Sequence, residues 1–187
     1  MTTAQATLGI LVLSLSFGIA TRQAAAQGTF DKEFFPIFDE AANKVIRLAQ
    51  VMPAEKYGWR PGAGVRSAGE VYVHIANGNR LMLTFARAKP LTRAELGAMI
   101  QANVESESAL TDKDQILAEL RASFDEVRRA ASGMSQADLN RPVKFFGTDT
   151  TVRGVLVAII GHISEHLGQS IAYARMNGVA PPWSGGQ

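Results

Sequence analysis

Four stretches of helical periodicity, each closed by proline or glycine, constrain this sequence more than any other feature. From Asp31 to Met52 the apolar residues Phe34, Ile37, Phe38, Ala41, Val45 and Leu48 recur three and four positions apart, the spacing of one face of an α-helix. Pro53 stops that run, and Pro36 falls in its first turns, where a missing N–H costs little. Tyr57 to Gly64 is a loop by composition. A second helix opens at Ser67, whose spacing to Glu70 is that of a capping box, carries Val71, Ile75, Met82 and Phe85, and is closed by Pro90. A third runs from Thr111 to Gly133 through Ile116, Leu117, Leu120, Phe124 and Val127. The last spans Val152 to Met176, capped by Thr150 or Thr151 and stopped by Asn177-Gly178 and Pro181-Pro182. A shorter helix fits Thr92 to Ala102. Val143 to Phe146 has the character of a strand, but one strand without a partner makes no sheet. The expected class is all-α, a four-helix bundle.

Composition narrows what such a bundle does. Of 187 residues 47% are hydrophobic and 19% charged, enough apolar mass for one well-buried core. Nineteen Lys and Arg against seventeen Asp and Glu give a net charge of +2, and no basic run exceeds Arg128-Arg129. That leaves no concentrated field for nucleic acid, so no nucleic-acid partner is expected. The chain has no cysteine, which excludes disulfides, thiolate nucleophiles and Cys-based zinc or iron–sulfur sites.

Residues 1–26 read as a signal peptide. Leu8 to Ala20 is apolar apart from Ser14 and Ser16, and it is shorter than the roughly 20 residues a bilayer span needs. Ala24-Ala25-Ala26 supplies the small-x-small pattern of a cleavage site. Met1 to Thr7 carries no Lys or Arg, so a retained anchor and a short buried helix are the alternatives. The organisation expected is a leader over 1–26 and one domain over 27–187. That domain would be periplasmic or secreted, with no stable membrane insertion after the leader is removed.

The three histidines decide the chemistry. His162 and His166 stand at i and i+4 on the last helix, on one face and about 5–6 Å apart at Cβ. They continue the stripe Val155, Ile159, His162, His166, Gln169 and Tyr173, which begins apolar and turns polar. His74 lies between Val71 and Ile75 on the core face of the second helix, with Gly78 one turn on. A single core histidine is ordinary hydrogen-bonded structure. Three neutral imidazoles turned inward are costly unless each ring nitrogen finds a partner, and one divalent ion satisfies three at once. Such a site keeps a coordination position open for water or substrate. Imidazole suits zinc, nickel, copper and iron; zinc is the default because it needs no redox support.

His162-Ile-Ser-Glu-His166 also fits the H-x-x-E-H pattern, in which Glu165 is a general base beside a metal-bound water. Helical geometry lets Glu165 either reach the edge of the site or face solvent. Asn77 and Asn79 are candidate donors around His74, or simply polar positions. Gln169 and Tyr173 either line a substrate pocket or satisfy buried hydrogen bonds. Trp59 and Arg60 in the preceding loop either touch a ligand or cap the core. Glu165, Asn77 and Tyr173 are the candidate catalytic residues.

Two motifs carry a resemblance to a family. One is Tyr57-x-Trp59-Arg60-Pro61 followed by Val65-Arg66-Ser67-x-Gly69-Glu70-x-x-x-His74-Ile75-Ala76. The other is Gly161-His162-x-x-Glu165-His166-x-Gly168-Gln169, continuing to Tyr173-x-Arg175-x-Asn177-Gly178-x-x-Pro181-Pro182. In combination they resemble the DinB/YfiT-like metalloenzymes from about Phe30 to Trp183. The resemblance implies a four-helix bundle of up-down-down-up order with a long crossover. It also implies a divalent metal on His74, His162 and His166, and a homodimer. Characterised relatives include S-transferases that use bacillithiol or mycothiol and a thiol-dependent maleylpyruvate isomerase. The function implied is therefore a metal-dependent enzyme that activates a thiolate or water for attack on a small electrophile, its partners a small-molecule substrate and a low-molecular-weight thiol. A non-catalytic metal- or ligand-binding module and a hydrolase working through Glu165 are the alternatives. The leader sets this sequence apart from usual members, because an exported enzyme meets other thiols than a cytoplasmic one.

Overall fold

The computed structural model describes residues 30–185, so the leader expected over 1–26 lies outside the described residues. The chain forms α1 (30–51), a short 3₁₀ turn Ala54–Lys56, α2 (Ala68–Phe85), α3 (Arg93–Ala109), α4 (Lys113–Ser132), the one-turn α5 (Gln136–Leu139), strands β1 (Pro142–Phe145) and β2 (Thr148–Thr151), and α6 (Val152–Met176).

Local chemistry fixes most helix ends. The Ser67–Glu70 capping box forms in both directions, with Glu70 N–H donating to Ser67 Oγ and Ser67 N–H to Glu70 Oε2. Thr151 is the residue that caps α6, accepting from the Gly154 N–H. Gly178, at a positive φ of 74°, ends α6 with Val179 N–H bonded to Ala174 O and its own N–H to Arg175 O. This is the left-handed stop that glycine permits without steric cost. Three expectations need correction. The cap of α4 is Asp112, which accepts from Gln115 N–H, so the helix begins at Lys113 rather than Thr111. The short helix does not end at Ala102 but continues to Ala109. The strand near Val143 does have a partner: β1 pairs antiparallel with β2 through a tight Phe146-Gly147 turn, both residues at positive φ. An aspartate- and threonine-rich strand such as Thr148–Thr151 carries no apolar alternation, which is why its pairing was invisible.

Side-chain contacts give the direction of each helix. Near their N-termini Gly69 of α2 lies against Ile116 of α4, and further along Asn79 donates to Ser123 Oγ, so α2 and α4 run parallel. Tyr72 meets Ser170, His74 meets His166 and Gly78 meets His162, so α6 runs antiparallel to α2. Phe38 packs edge-on to Phe124 while Lys113 Nζ donates to Gln50 O and Met52 O, so α1 is antiparallel to α4. Arg153 stacks over Phe30, and Lys44 and Arg47 reach Trp183 beyond the end of α6, which makes α1 and α6 parallel. The order is therefore up-down-down-up. Two parallel helices adjacent in the bundle need a link that travels its length, and α3 makes that crossing.

The core is apolar and continuous. Val45, Leu48, Val71, Ile75, Ile116, Leu120, Leu156, Ile159 and Ile163 are all fully buried. α6 lends Val155, Leu156, Ile159, Ile163 and Ala174 to this core, and between Ile159 and Tyr173 its inward stripe passes through His162 and His166.

Candidate metal centre

Three imidazoles meet at the seam between α2 and α6. One ring nitrogen from each of His74, His162 and His166 lies within 4.8 Å of the other two. The ring centroids stand 4.5 to 5.0 Å apart, and the Nε2 atoms of His74 and His162 are 3.2 Å apart. Antiparallel α2 and α6 place His74 opposite the i, i+4 pair, and Gly78 leaves room for the ring of His162. A Cβ at position 78 would overlap that ring. The absent side chain is thus a steric requirement of the site.

Two of the rings are oriented from behind. His74 Nδ1 lies 2.6 Å from Glu107 Oε1. An ionised carboxylate only accepts, so the proton sits on Nδ1 and Nε2 carries a lone pair. Glu107 in turn accepts from Arg66 Nε at 2.6 Å, and its side chain is only 12% exposed. His166 Nδ1 donates to Gln169 Oε1 at 2.8 Å, and Gln169 Nε2 donates to Tyr173 Oη at 3.0 Å, which fixes the amide the right way round. Trp59 rests edge-on against Tyr173.

The third ring has no such support. His162 Nδ1 is buried with no hydrogen-bond partner among the described residues. If Nδ1 bears the proton, a donor is stranded and two Nε2 lone pairs face each other; if Nε2 bears it, a bare acceptor is stranded. Either arrangement carries a desolvation cost of about 1–3 kcal/mol. Burial, reinforced by the neighbouring His166 and His74, pushes the His162 pKa down to about 3, and burial lowers that of His74 as well. Both rings are therefore neutral at pH 7, the state a metal ligand requires. A cation that takes the lone pairs of all three rings removes their confrontation. The donor set, three neutral nitrogens, fits a borderline divalent ion.

The remaining candidates divide. Tyr173 joins the site through Gln169. Asn77 does not: its Nδ2 donates to Asn103 O at 3.2 Å and to Ser106 Oγ at 2.8 Å, tying α3 to α2. Asn79 turns to α4, where Nδ2 bonds Ser123 Oγ. Glu165 is exposed and has no hydrogen bond to the three imidazoles, which takes away the support for a hydrolase built on that carboxylate. Arg60 is occupied by Val65 O and Glu70. The residue that sequence reasoning missed is Glu107. Its helix buries none of its residues, and nothing local marks one glutamate of Glu105, Glu107 and their neighbours as facing a histidine 33 positions away. The available signal was the lack of any proline or glycine between Gly97 and Thr111, which lets the helix opened by the Thr92–Glu95 capping box run on past Ala102.

A helical bundle that gathers three imidazoles on two antiparallel helices is the class defined by this fold and site. The profile of the DinB superfamily matches residues 37–170, and the chain belongs to that superfamily. Among solved structures, a DinB-like protein from Bacillus cereus superposes with a TM-score of 0.61 at 19% identity, covering 80% of this chain and 93% of that one. A DinB-like protein from Bacillus subtilis aligns at a TM-score of 0.49 and 18% identity, over 78% of this chain and 92% of the other. The first of these shows the shared fold. A search of curated proteins finds no match to this sequence.

Proposed function

We propose that this chain is a metal-dependent enzyme in which His74, His162 and His166 hold a divalent ion and a thiolate or water is activated for attack on a small electrophile. One observation carries the reading: three imidazoles converge at the seam, two with the ligating nitrogen freed by a partner behind the ring. Such an ion, zinc by preference with nickel or iron as alternatives, lowers the pKa of a bound water or thiol toward neutrality. Three neutral ligands cancel none of its charge, which favours an anionic fourth partner such as thiolate.

The chain's own residues supply orientation. Glu107 and Gln169 hold two rings by their far nitrogens, the arrangement by which histidine ligands are usually fixed. Tyr173 Oη accepts from Gln169 Nε2 and so keeps its own proton for donation at the edge of the site. The apolar Leu8–Ala20 stretch and Ala24–Ala26 support a location outside the cytoplasm, where the thiol partner would differ from those of cytoplasmic relatives.

Elemental analysis of the purified protein beside His74→Ala and His162→Ala variants tests the proposal. Stoichiometric metal in the parent and its loss in both variants is expected, followed by turnover in a screen of thiols against small electrophiles. Equal metal content in all three proteins overturns the reading. Stoichiometric metal with no turnover in the screen points instead to a binding module.

A further inference from the structure

α3 is an unusual way to cross a bundle. None of its seventeen residues is buried, so the hydrophobic effect does little to hold it down. It packs on α2, and a cavity of about 540 Å³ lined by Val73, Ala76, Ser106, Ala109 and Ala118 lies where α2, α3 and α4 meet. What joins it to the rest is polar and concentrated near its C-terminal end. Asn77 bonds Asn103 O and Ser106 Oγ, and Glu107 binds Arg66 and His74. Both Glu107 oxygens are committed, Oε1 to the imidazole and Oε2 to the guanidinium, each at 2.6 Å.

We propose that α3 is a clamp on the metal centre: Glu107, braced by Arg66, sets the proton of His74 on Nδ1 and so presents Nε2 to the cation, and cation occupancy in turn seats the crossover helix. The inference rests on the function proposed above. The Glu107–His74 hydrogen bond belongs at once to the site and to the docking of α3, and it is strengthened when His74 donates its other nitrogen to a cation. Linkage makes the effect reciprocal: whatever factor Glu107 adds to cation affinity, the cation adds to the seating of α3. For groups that orient a metal-bound histidine that factor is typically about 10- to 100-fold. Glu107 is thus a positioning residue, and α3 is its carrier.

The experiment uses zinc alone. Its dissociation constant is measured by competition with a chromophoric chelator for the parent, Glu107→Ala, Glu107→Gln and Arg66→Gln. Amide hydrogen exchange over α3 and α4 is followed with and without zinc, and thermal melts confirm that each variant folds. Glu107→Ala should weaken zinc by about 10- to 100-fold. Glu107→Gln, whose amide oxygen still accepts from Nδ1, should recover part of that loss, and Arg66→Gln should lose less than Glu107→Ala. Zinc should slow exchange across Arg93–Ala109 in the parent and not in Glu107→Ala, with α4 unchanged in both. Parent-like zinc affinity in Glu107→Ala, or α3 exchange indifferent to zinc in the parent, overturns the clamp while leaving the metal site intact. A parent that binds neither zinc, nickel nor iron overturns both.

Discussion

α3 and α4 follow one another in the chain, are nearly equal in length, and start from the same kind of side-chain cap. Their relation to the protein is opposite. α4 buries seven residues, among them Ile116, Leu120, Phe124 and Val127, and its position is set by apolar area. α3 buries none and is held by a few polar contacts, one of which lands on a metal-site histidine. An apolar interface is stabilising in proportion to area and indifferent to exact geometry at any one atom. A polar contact contributes about 0.5–1.5 kcal/mol net and is lost with small displacements. The difference separates the helix that makes the bundle from the helix that can respond to what the bundle binds.

The sharpest way to break this comparison is to remove apolar volume from each helix. Leu120→Ala empties a fully buried position and should cost about 2–5 kcal/mol. Val104→Ala, on a side chain of α3 that is 56% exposed, should stay within about 0.5 kcal/mol. Denaturant unfolding of the two variants reads the difference; equal losses would mean that α3 is packed like α4.

Acid distinguishes the polar seam from the apolar core. Unfolded imidazoles take a proton near pH 6.5, whereas burial holds His162 down to about 3 and lowers His74. Between those limits the unfolded chain binds protons that the folded one refuses. Stability is therefore complete above pH ~6.5 and is lost as pH falls toward ~3. The melting midpoint of chelator-treated protein should fall across that window, and less steeply in His162→Gln. A midpoint that stays flat through it would show that the seam is not buried as described.

The smallest effect is at the caps. Asp112→Ala should remove about 1 kcal/mol from the global unfolding of the bundle. Thr92→Ala deletes an equivalent cap and should leave the global melt unchanged, raising only the exchange rate of the first turn of α3. A matching drop in both melts would make α3 part of the cooperative unit.

The same contrast explains what could be read in advance. His74, His162 and His166 were legible because each continues an apolar stripe on a helix long enough to display its period. Tyr173 and Gln169 were legible as the polar end of that stripe. Glu107 was not, because its partner lies 33 positions away on another helix and nothing local distinguishes it from Glu105. Glu165 is exposed and Asn77 turns to α3 for a related reason: proximity along the chain to a histidine says little about which neighbour a side chain meets.

Sequence alone determined the helices and most of their ends, since capping, proline and left-handed glycine act within four residues, and it determined which faces turn inward. That α2 and α4 run parallel was implied by the family resemblance; only the tertiary structure decided that β1 finds β2 and that a carboxylate on the crossover reaches His74. The carboxylate contact joins residues 33 positions apart and is set by how whole helices pack; the hairpin closes over far fewer positions, but its second strand carries no apolar alternation, so neither leaves a mark on the local pattern.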